Sequence, residues 1–253
     1  MAGISAGLGG QINNNIQTDG LVLYLDAAYK KSYPRTETTW YDLSGYGNHG
    51  TLTNGVAYDS SGYLSCDGSN DSIDIAKNST WQINTPSAFV WAHPGSSADW
   101  SSDYDDAHKI LFSSTHSGGV TIALAHSAYT SHGSADQGSL NTFIYSDSKY
   151  TIANYNFDNV PDGWAHIGFT FSTSLVTLYV NGKAVATKAP YGSNAVTWPA
   201  SSYMHLGAEA GAGSNPDSRW TNIKYANFVY YNRTISAAEV LQNFNAQKER
   251  FGY

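Results

Sequence analysis

Residues 164–187 limit the fold more than any other stretch of this chain. Ile167-Gly168-Phe169-Thr170-Phe171 and Val176-Thr177-Leu178-Tyr179-Val180 are rich in β-branched and aromatic residues, which suit a pleated, half-buried surface. Asn181-Gly182 follows at once, a pair that tolerates the positive φ required at both central positions of a two-residue hairpin turn. Lys183-Ala184-Val185-Ala186-Thr187 then returns as the next strand. An antiparallel ladder is therefore expected here.

The rest of the chain extends the pattern. Leu21-Val22-Leu23-Tyr24-Leu25 and Ala88-Phe89-Val90-Trp91-Ala92 are apolar runs of the kind found in buried strands, and Ile73-Asp74-Ile75 alternates as a half-buried strand does. Ile110 to Phe112, Val120 to Ala125, Leu140 to Tyr145, Met204 to Gly207 and Ala226 to Tyr231 add further strands, while Pro34, Gly45, Gly47 and Gly50 mark residues 30–50 as loop. One helix is expected, at about 237–248. Ser236 and Glu239 form a capping box in which each side chain satisfies the other's backbone N–H. Val240, Leu241 and Phe244 should share its buried face, with Lys248 and Arg250 near the negative end of its dipole. Strands at ~8–12-residue spacing with one late helix predict an all-β, antiparallel two-sheet sandwich over residues 19–253 as a single domain.

Composition narrows the function. Charged residues are only 13% and aromatics 14%, with 19 Tyr and 7 Trp, which excludes a coiled coil and argues against disorder. The net charge is −7 with no basic patch, so nucleic acid is not an expected partner. No apolar run approaches the ~20 residues of a membrane-spanning helix, so no membrane association is expected. The start, Met1-Ala2-Gly3-Ile4-Ser5, lacks the basic segment and apolar core of a secretory signal. A single cysteine, Cys66, can form neither an internal disulfide nor a cysteine-based zinc site.

Several segments resemble a known group. Asp162-Gly163-Trp164-Ala165-His166-Ile167 with Leu178-Tyr179-Val180-Asn181-Gly182-Lys183 is similar to the core of laminin-G-like domains. Tyr230-Tyr231-Asn232-Arg233-Thr234-Ile235-Ser236-Ala237-Ala238-Glu239 resembles their ending, and Ser87 to Pro94 their early Trp strand. The combination, over residues 87–239, resembles the concanavalin A-like lectin/glucanase superfamily, whose laminin-G-like and pentraxin-like members are jelly rolls of two antiparallel sheets. The front is similar, more narrowly, to laminin-G-like proteins encoded by tailed phages. The residues that carry this are Gly20 to Ala27, Ser32-Tyr33-Pro34, Thr39 to Gly45, Asn48 to Leu52 and Cys66-Asp67-Gly68-Ser69-Asn70-Asp71, where Cys replaces the usual Phe. This resemblance implies a non-enzymatic virion structural protein on the surface of the extracellular particle, a jelly-roll module that decorates a phage capsid or forms part of a tail or fibre. The alternative is a carbohydrate-binding, lectin-like adhesin that takes a cell-surface glycan. A glycoside hydrolase stands a distant third.

The chemistry-bearing residues fit that order. Glycoside hydrolysis needs paired carboxylates facing one cleft, yet Glu occurs only at 37, 209, 239 and 249, with none in the family's Glu-x-Asp-x-x-Glu pattern. No G-x-S-x-G, H-E-x-x-H or phosphate loop occurs. The acidic loop of Asp99, Asp103, Asp105 and Asp106 is the candidate calcium site, because calcium takes several carboxylate oxygens and many laminin-G-like and pentraxin domains bind it. Lys224-Tyr225-Ala226-Asn227 stands where such relatives often carry acids, which argues against an inherited site. His108, His116, His126 and His132 read as surface-loop residues. Trp91 and Trp164 sit in strand patterns and are expected in the core, whereas Trp100, Tyr104, Trp198 and Trp220 sit among Pro, Ser, Asn and Asp and are the glycan candidates.

Residues 1–18 are polar and Gly-rich, with too few apolar side chains to fold alone. Ile4, Leu8, Ile12 and Ile16 recur every four residues. They predict an N-terminal assembly arm that anchors the chain in a homo-oligomer or on capsid or tail proteins.

Overall fold

The computed structural model describes residues 15–94, 108–114, 118–125, 139–147, 149–156, 163–191, 195–198, 203–210 and 216–253. Its strands, in chain order, are β1 (Leu21–Asp26), β2 (Thr39–Trp40), β3 (Gly50–Thr53), β4 (Ala57–Asp59), β5 (Tyr63–Asp67), β6 (Ser72–Ile75), β7 (Ser87–His93), β8 (His108–Ser113), β9 (Val120–Ala125), β10 (Ser139–Ser146), β11 (Lys149–Asn156), β12 (Ala165–Phe171), β13 (Val176–Val180), β14 (Lys183–Lys188), β15 (Met204–Leu206), β16 (Glu209–Ala210), β17 (Pro216–Ser218) and β18 (Asn222–Tyr231). They form two large antiparallel sheets and a small β16–β17 hairpin. The first sheet runs β14-β13-β12-β7-β18-β5-β4, and β1 also pairs with β18; the second runs β11-β10-β9-β8-β15-β6-β3-β2. The long β18 joins the first sheet together. One of its edges follows β7, while the other pairs with β5 over residues 222–225 and with β1 over residues 227–231.

The inner faces meet in one core that takes alternate residues of each strand, such as Ala88, Val90 and Ala92 of β7, Ile167, Phe169 and Phe171 of β12, and Ile73 and Ile75 of β6. The first sheet is covered on its other face too. There Tyr24, Phe89, Tyr179, Val229 and Tyr231 form a second cluster with Ile235 and Val240 beside the C-terminal helix. Burial on both faces is why β1 and β7 read as unbroken apolar runs instead of alternating.

The turn after β13 forms as its chemistry requires, with Asn181 at φ 49° and Gly182 at φ 76°. Asn181 Oδ1 also accepts from His166 N–H at 2.9 Å, tying the turn to β12. The helix spans Ala237–Gln247 with both halves of the Ser236–Glu239 capping box present. Its buried residues are Val240, Asn243, Phe244 and Gln247, whereas Leu241 is exposed. The spacing i, i+3, i+4, i+7 turns Leu241 away from the sheet, a correction to the expected face. Arg250 lies in a following 3-10 turn, Lys248–Phe251, and reaches Asp26 of β1 at 2.9 Å and the Gly62 carbonyl at 2.5 Å.

The residues that carry the family resemblance tie loops together. Asp42 accepts from the N–H groups of Tyr24, Ser44 and Asn48, and Asn48 donates to the Val22 carbonyl at 2.6 Å. Asp71 accepts from Gly55 N–H and Asp67 N–H, and Cys66 is packed in the core, where burial pushes its thiol pKa up. Arg233 grips Glu239 through two nitrogens, at 3.2 and 2.6 Å. That pairing, with bonds from Ser236 and Gln17, overcomes partial burial and lowers the Glu239 carboxyl to about 2.

Residues 15–18 belong to this arrangement. Ile16 is buried in the cluster beneath the helix, Gln17 N–H donates to Asn243 Oδ1 at 2.7 Å, and Tyr231 Oη donates to the Gln17 carbonyl at 2.9 Å. The side chain of Ile16 is thus taken up by its own domain and is not free for assembly. Ile4, Leu8 and Ile12 lie outside the described residues.

Candidate functional site

The C-terminal helix packs over the first sheet, which leaves the outward face of the second sheet as the candidate functional surface. Strand register places one row of side chains across it: Thr39, Thr51, Asp74, His205, Ser113, Thr121, Phe143 and Ile152, each opposite the next. From Asp74 to Phe143 is four strand spacings of about 4.8 Å, or about 19 Å.

The centre of the row is a hydrogen-bonded unit. His205 Nδ1 lies 2.7 Å from Asp74 Oδ1, and the Thr53 hydroxyl donates to Asp74 Oδ2 at 2.5 Å. Burial opposes ionisation of Asp74, but bonds from His205, Thr53 and Ser72 outweigh it and hold the carboxyl below its usual range. An ionised Asp74 accepts a hydrogen bond from the His205 Nδ1–H, and His205 Nε2 is buried without a partner. Asp74, His205 and Ser113 stand on consecutive strands in the order of an acid–base–nucleophile relay. Yet Ser113 and His205 are fully buried, and Ser113 Oγ sits 3.0 Å from Thr121 Oγ1. The unit serves as a polar crosslink of β6, β15 and β8.

The β10–β11 end is more open and carries aromatic rings. Phe143, Tyr145 and Tyr150 are all half-buried, with Tyr145 and Tyr150 rings 4.8 Å apart and Phe143 and Tyr150 6.3 Å apart. Tyr145 and Tyr150 face each other in register. The backbone of Tyr145 is held from outside this pair, donating to the Gly119 carbonyl at 3.0 Å and accepting from Thr197 N–H at 2.9 Å. Asn141 and Asn154 pair in register on the same face, two residues along, and the Asn141 Oδ1 is buried without a partner. Rigid rings beside amide and hydroxyl groups can stack on the apolar face of a sugar and bond its hydroxyls.

The expected site residues fall differently. Trp198 is turned inward: its Nε1 donates to the Ile83 carbonyl at 2.8 Å, its ring meets Trp81 edge-on at 5.4 Å, and it packs on the inter-sheet core. Trp198 is half-buried, so part of its indole is committed to packing and part stays accessible. Trp220 is half-buried with its Nε1 unpartnered. Trp100, Tyr104, Asp99, Asp103, Asp105 and Asp106 lie outside the described residues. Among the described residues no three His, Cys, Asp or Glu side chains converge as a metal site would require. Of the tryptophans expected in the core, Trp91 is fully buried but on the helix side of the first sheet, and Trp164 is only half-buried beside it. Phe143, Tyr145 and Tyr150 were missed, although every second residue of Asn141–Tyr145 and Tyr150–Asn154 falls on one face, because the sequence alone does not say which face is outward.

Comparison with known proteins fits this architecture. A family model described as the concanavalin A-like lectin/glucanases superfamily matches residues 67–241, and the chain belongs to that superfamily. Among solved structures, the binding domain of botulinum neurotoxin serotype D is similar with TM-score 0.65 and 14% identity, over 91% of this chain and 52% of that one. The receptor-binding domain of the mosaic serotype C/D neurotoxin aligns with TM-score 0.65 and 14% identity, over 91% and 51%. The binding domain of Paraclostridial Mosquitocidal Protein 1 aligns with TM-score 0.58 and 17% identity, over 93% and 53%. The chain thus spans about half the length of the structures it resembles, and at these identities the likeness is one of fold. No curated protein matches the chain.

Proposed function

We propose that this chain is a non-enzymatic, lectin-like binding module that takes a glycan on the outward face of the second sheet. The observation that carries this reading is the line of half-buried rings, Phe143, Tyr145 and Tyr150, beside Thr121 and Asn154. The reading has the support of a relative in fold: the serotype D neurotoxin ligand-binding domain, similar at TM-score 0.62 and 13% identity over 93% of this chain and 52% of that one, is described in complex with N-acetylneuraminic acid. Burial of Ser113 and His205 supports a module without hydrolytic chemistry. A glycan array should give saturable binding to a limited set of sugars. Tyr145→Ala with Tyr150→Ala should weaken it about tenfold, since one well-placed ring contact is worth about 0.5–1.5 kcal/mol. An array with no saturable signal, or a double variant that binds as well as the parent, would remove this reading.

The setting we propose is the surface of a tailed-phage particle, a reading supported by the resemblance of residues 20–71 to phage-encoded laminin-G-like proteins. Asn15 lies beside the helix, where Gln242 Nε2 donates to its carbonyl at 2.8 Å. Deleting residues 2–14 should leave the β-type circular dichroism unchanged and abolish self-association measured by light scattering. Extending the deletion through residue 18 should in addition lower stability by about 2 kcal/mol or more, because Ile16 leaves a buried site. Self-association that persists without residues 2–14 would refute the arm.

A further inference from the structure

A second surface, on the first sheet, collects cations around aromatic rings in a chain of net charge −7. Beyond the end of the helix the rings form a continuous cluster. Tyr63 and Trp164 are 5.5 Å apart, Trp164 and Phe251 5.1 Å, Phe251 and Trp91 4.0 Å, and Trp91 and Phe244 5.7 Å. Trp91 is buried beneath, but Tyr63, Trp164 and Phe251 are half-buried and Tyr253 is exposed. Three basic side chains lie over these rings: Lys224 Nζ at 5.4 Å from Tyr63, Lys248 Nζ at 5.9 Å from Phe244 and Arg250 Cζ at 5.1 Å from Phe251. His93 faces Lys224 across the β7–β18 ladder and meets the Trp164 ring edge-on at 5.7 Å.

Among the described residues the acids of the same segments offset this patch only in part. Asp26 is occupied by Arg250, Glu249 is exposed, and Asp59 is hydrogen-bonded to Ser61 and Tyr63 and is near enough to Lys224 to feel its charge. Lys224 and Lys248 have no carboxylate within ion-pair distance among the described residues. Packing alone would account for the rings but not for two lysine ammonium groups held over them without a salt bridge. A half-buried ring with a lysine ammonium two strands away matches a ligand that has both an apolar ring face and a negative charge.

We propose that Trp164, Tyr63 and Lys224 form a second ligand site, for an acidic glycan: a sugar that stacks on Trp164 and sets its carboxylate on the Lys224 ammonium. Lys248 adds to the attractive field, which makes binding salt-dependent. The site shares no residue with the Tyr145–Tyr150 surface, so the two succeed or fail separately.

The test is calorimetric titration of the full chain with sialyllactose and, as the neutral twin, lactose, at low and at physiological salt. Saturable binding of the acidic sugar is expected, at least tenfold tighter than lactose and weakened by salt. Lys224→Glu, on a half-exposed side chain and checked for an unchanged circular dichroism spectrum, should reduce it at least tenfold, whereas Lys188→Glu, the same charge change on an exposed side chain of the edge strand β14, should leave it unchanged. Equal affinity for both sugars, no saturable binding, or unaltered binding by Lys224→Glu would each overturn the proposal. Loss in Tyr145→Ala with Lys224→Glu unaffected would move the acidic sugar to the other sheet and overturn it as well.

Discussion

Gly168→Ala should cripple the fold although it adds one methyl group. A Cβ at Gly168 would lie 2.1 Å from Phe89 Cδ1 and 2.3 Å from the Ala88 carbonyl oxygen. Gly168 and Phe89 face each other in the β12–β7 ladder at the middle of the first sheet. The Phe89 ring cannot swing aside, because it is stacked on His166 at 5.2 Å and meets Tyr179 at 5.9 Å. The carbonyl is backbone and moves only with its strand. Overpacking of a core costs about 1–3 kcal/mol where side chains can yield, and here neither neighbour can, so a loss of about 3 kcal/mol or more is expected. Urea unfolding should show the midpoint fall with little change in slope. A loss below about 1 kcal/mol would mean that the two strands have slack that this packing does not reveal.

The second large effect is a loss of stability in acid that one residue controls. His166 is fully enclosed between Phe89, Trp91 and Phe244, and its Nδ1 has no hydrogen-bond partner. Burial penalises the imidazolium and lowers the pKa from 6.5 to about 3. The folded state therefore favours the neutral ring. Its contribution is complete above the unfolded-state value of 6.5 and is lost as the pH falls from there toward about 3, since the unfolded chain takes up the proton first. The cost is about 1.4 kcal/mol for each pH unit inside that window. Carboxylates such as Glu239 add a loss of their own only below about 4.5, as its carboxyl titrates toward about 2. His166→Phe keeps a flat ring stacked on Phe89 and has no proton to gain, so its stability should be nearly flat between pH 6.5 and 5 while the parent declines. Parallel curves for the two proteins over that interval would show that His166 is not the group responsible.

Both effects come from a motif that was visible in the sequence, and the way it works was not. Trp164-Ala165-His166-Ile167 marked the family and Gly168 follows it in the predicted strand, and these residues turn out to shape the outward face of the first sheet. His166 and Gly168 point away from the inter-sheet core and are buried only because the C-terminal helix and its neighbours close over them. A period of two assigns residues to opposite faces but does not say which face a distant helix will cover. Trp198 shows the same limit from the other side. Its polar, Pro-containing surroundings suggested a loop, yet the Ile83 carbonyl and the Trp81 ring, more than a hundred residues earlier, draw the indole partly inside.

The chain's own local chemistry determined the elements: the strands, the Asn181-Gly182 turn, the capped helix at 237–247 and the antiparallel sandwich that they imply. These depend on φ preferences, side-chain period and capping groups that act within a few residues. The tertiary structure alone decided which rings reach a surface. Phe143, Tyr145 and Tyr150 gather because two strands pair in one register, and Trp164 and Lys224 gather because β18 lies beside β7. Burial of Ile16 likewise depends on a helix that begins 221 residues later in the chain, at Ala237. Such neighbours are chosen by packing across long sequence separations, and a local pattern carries no record of them.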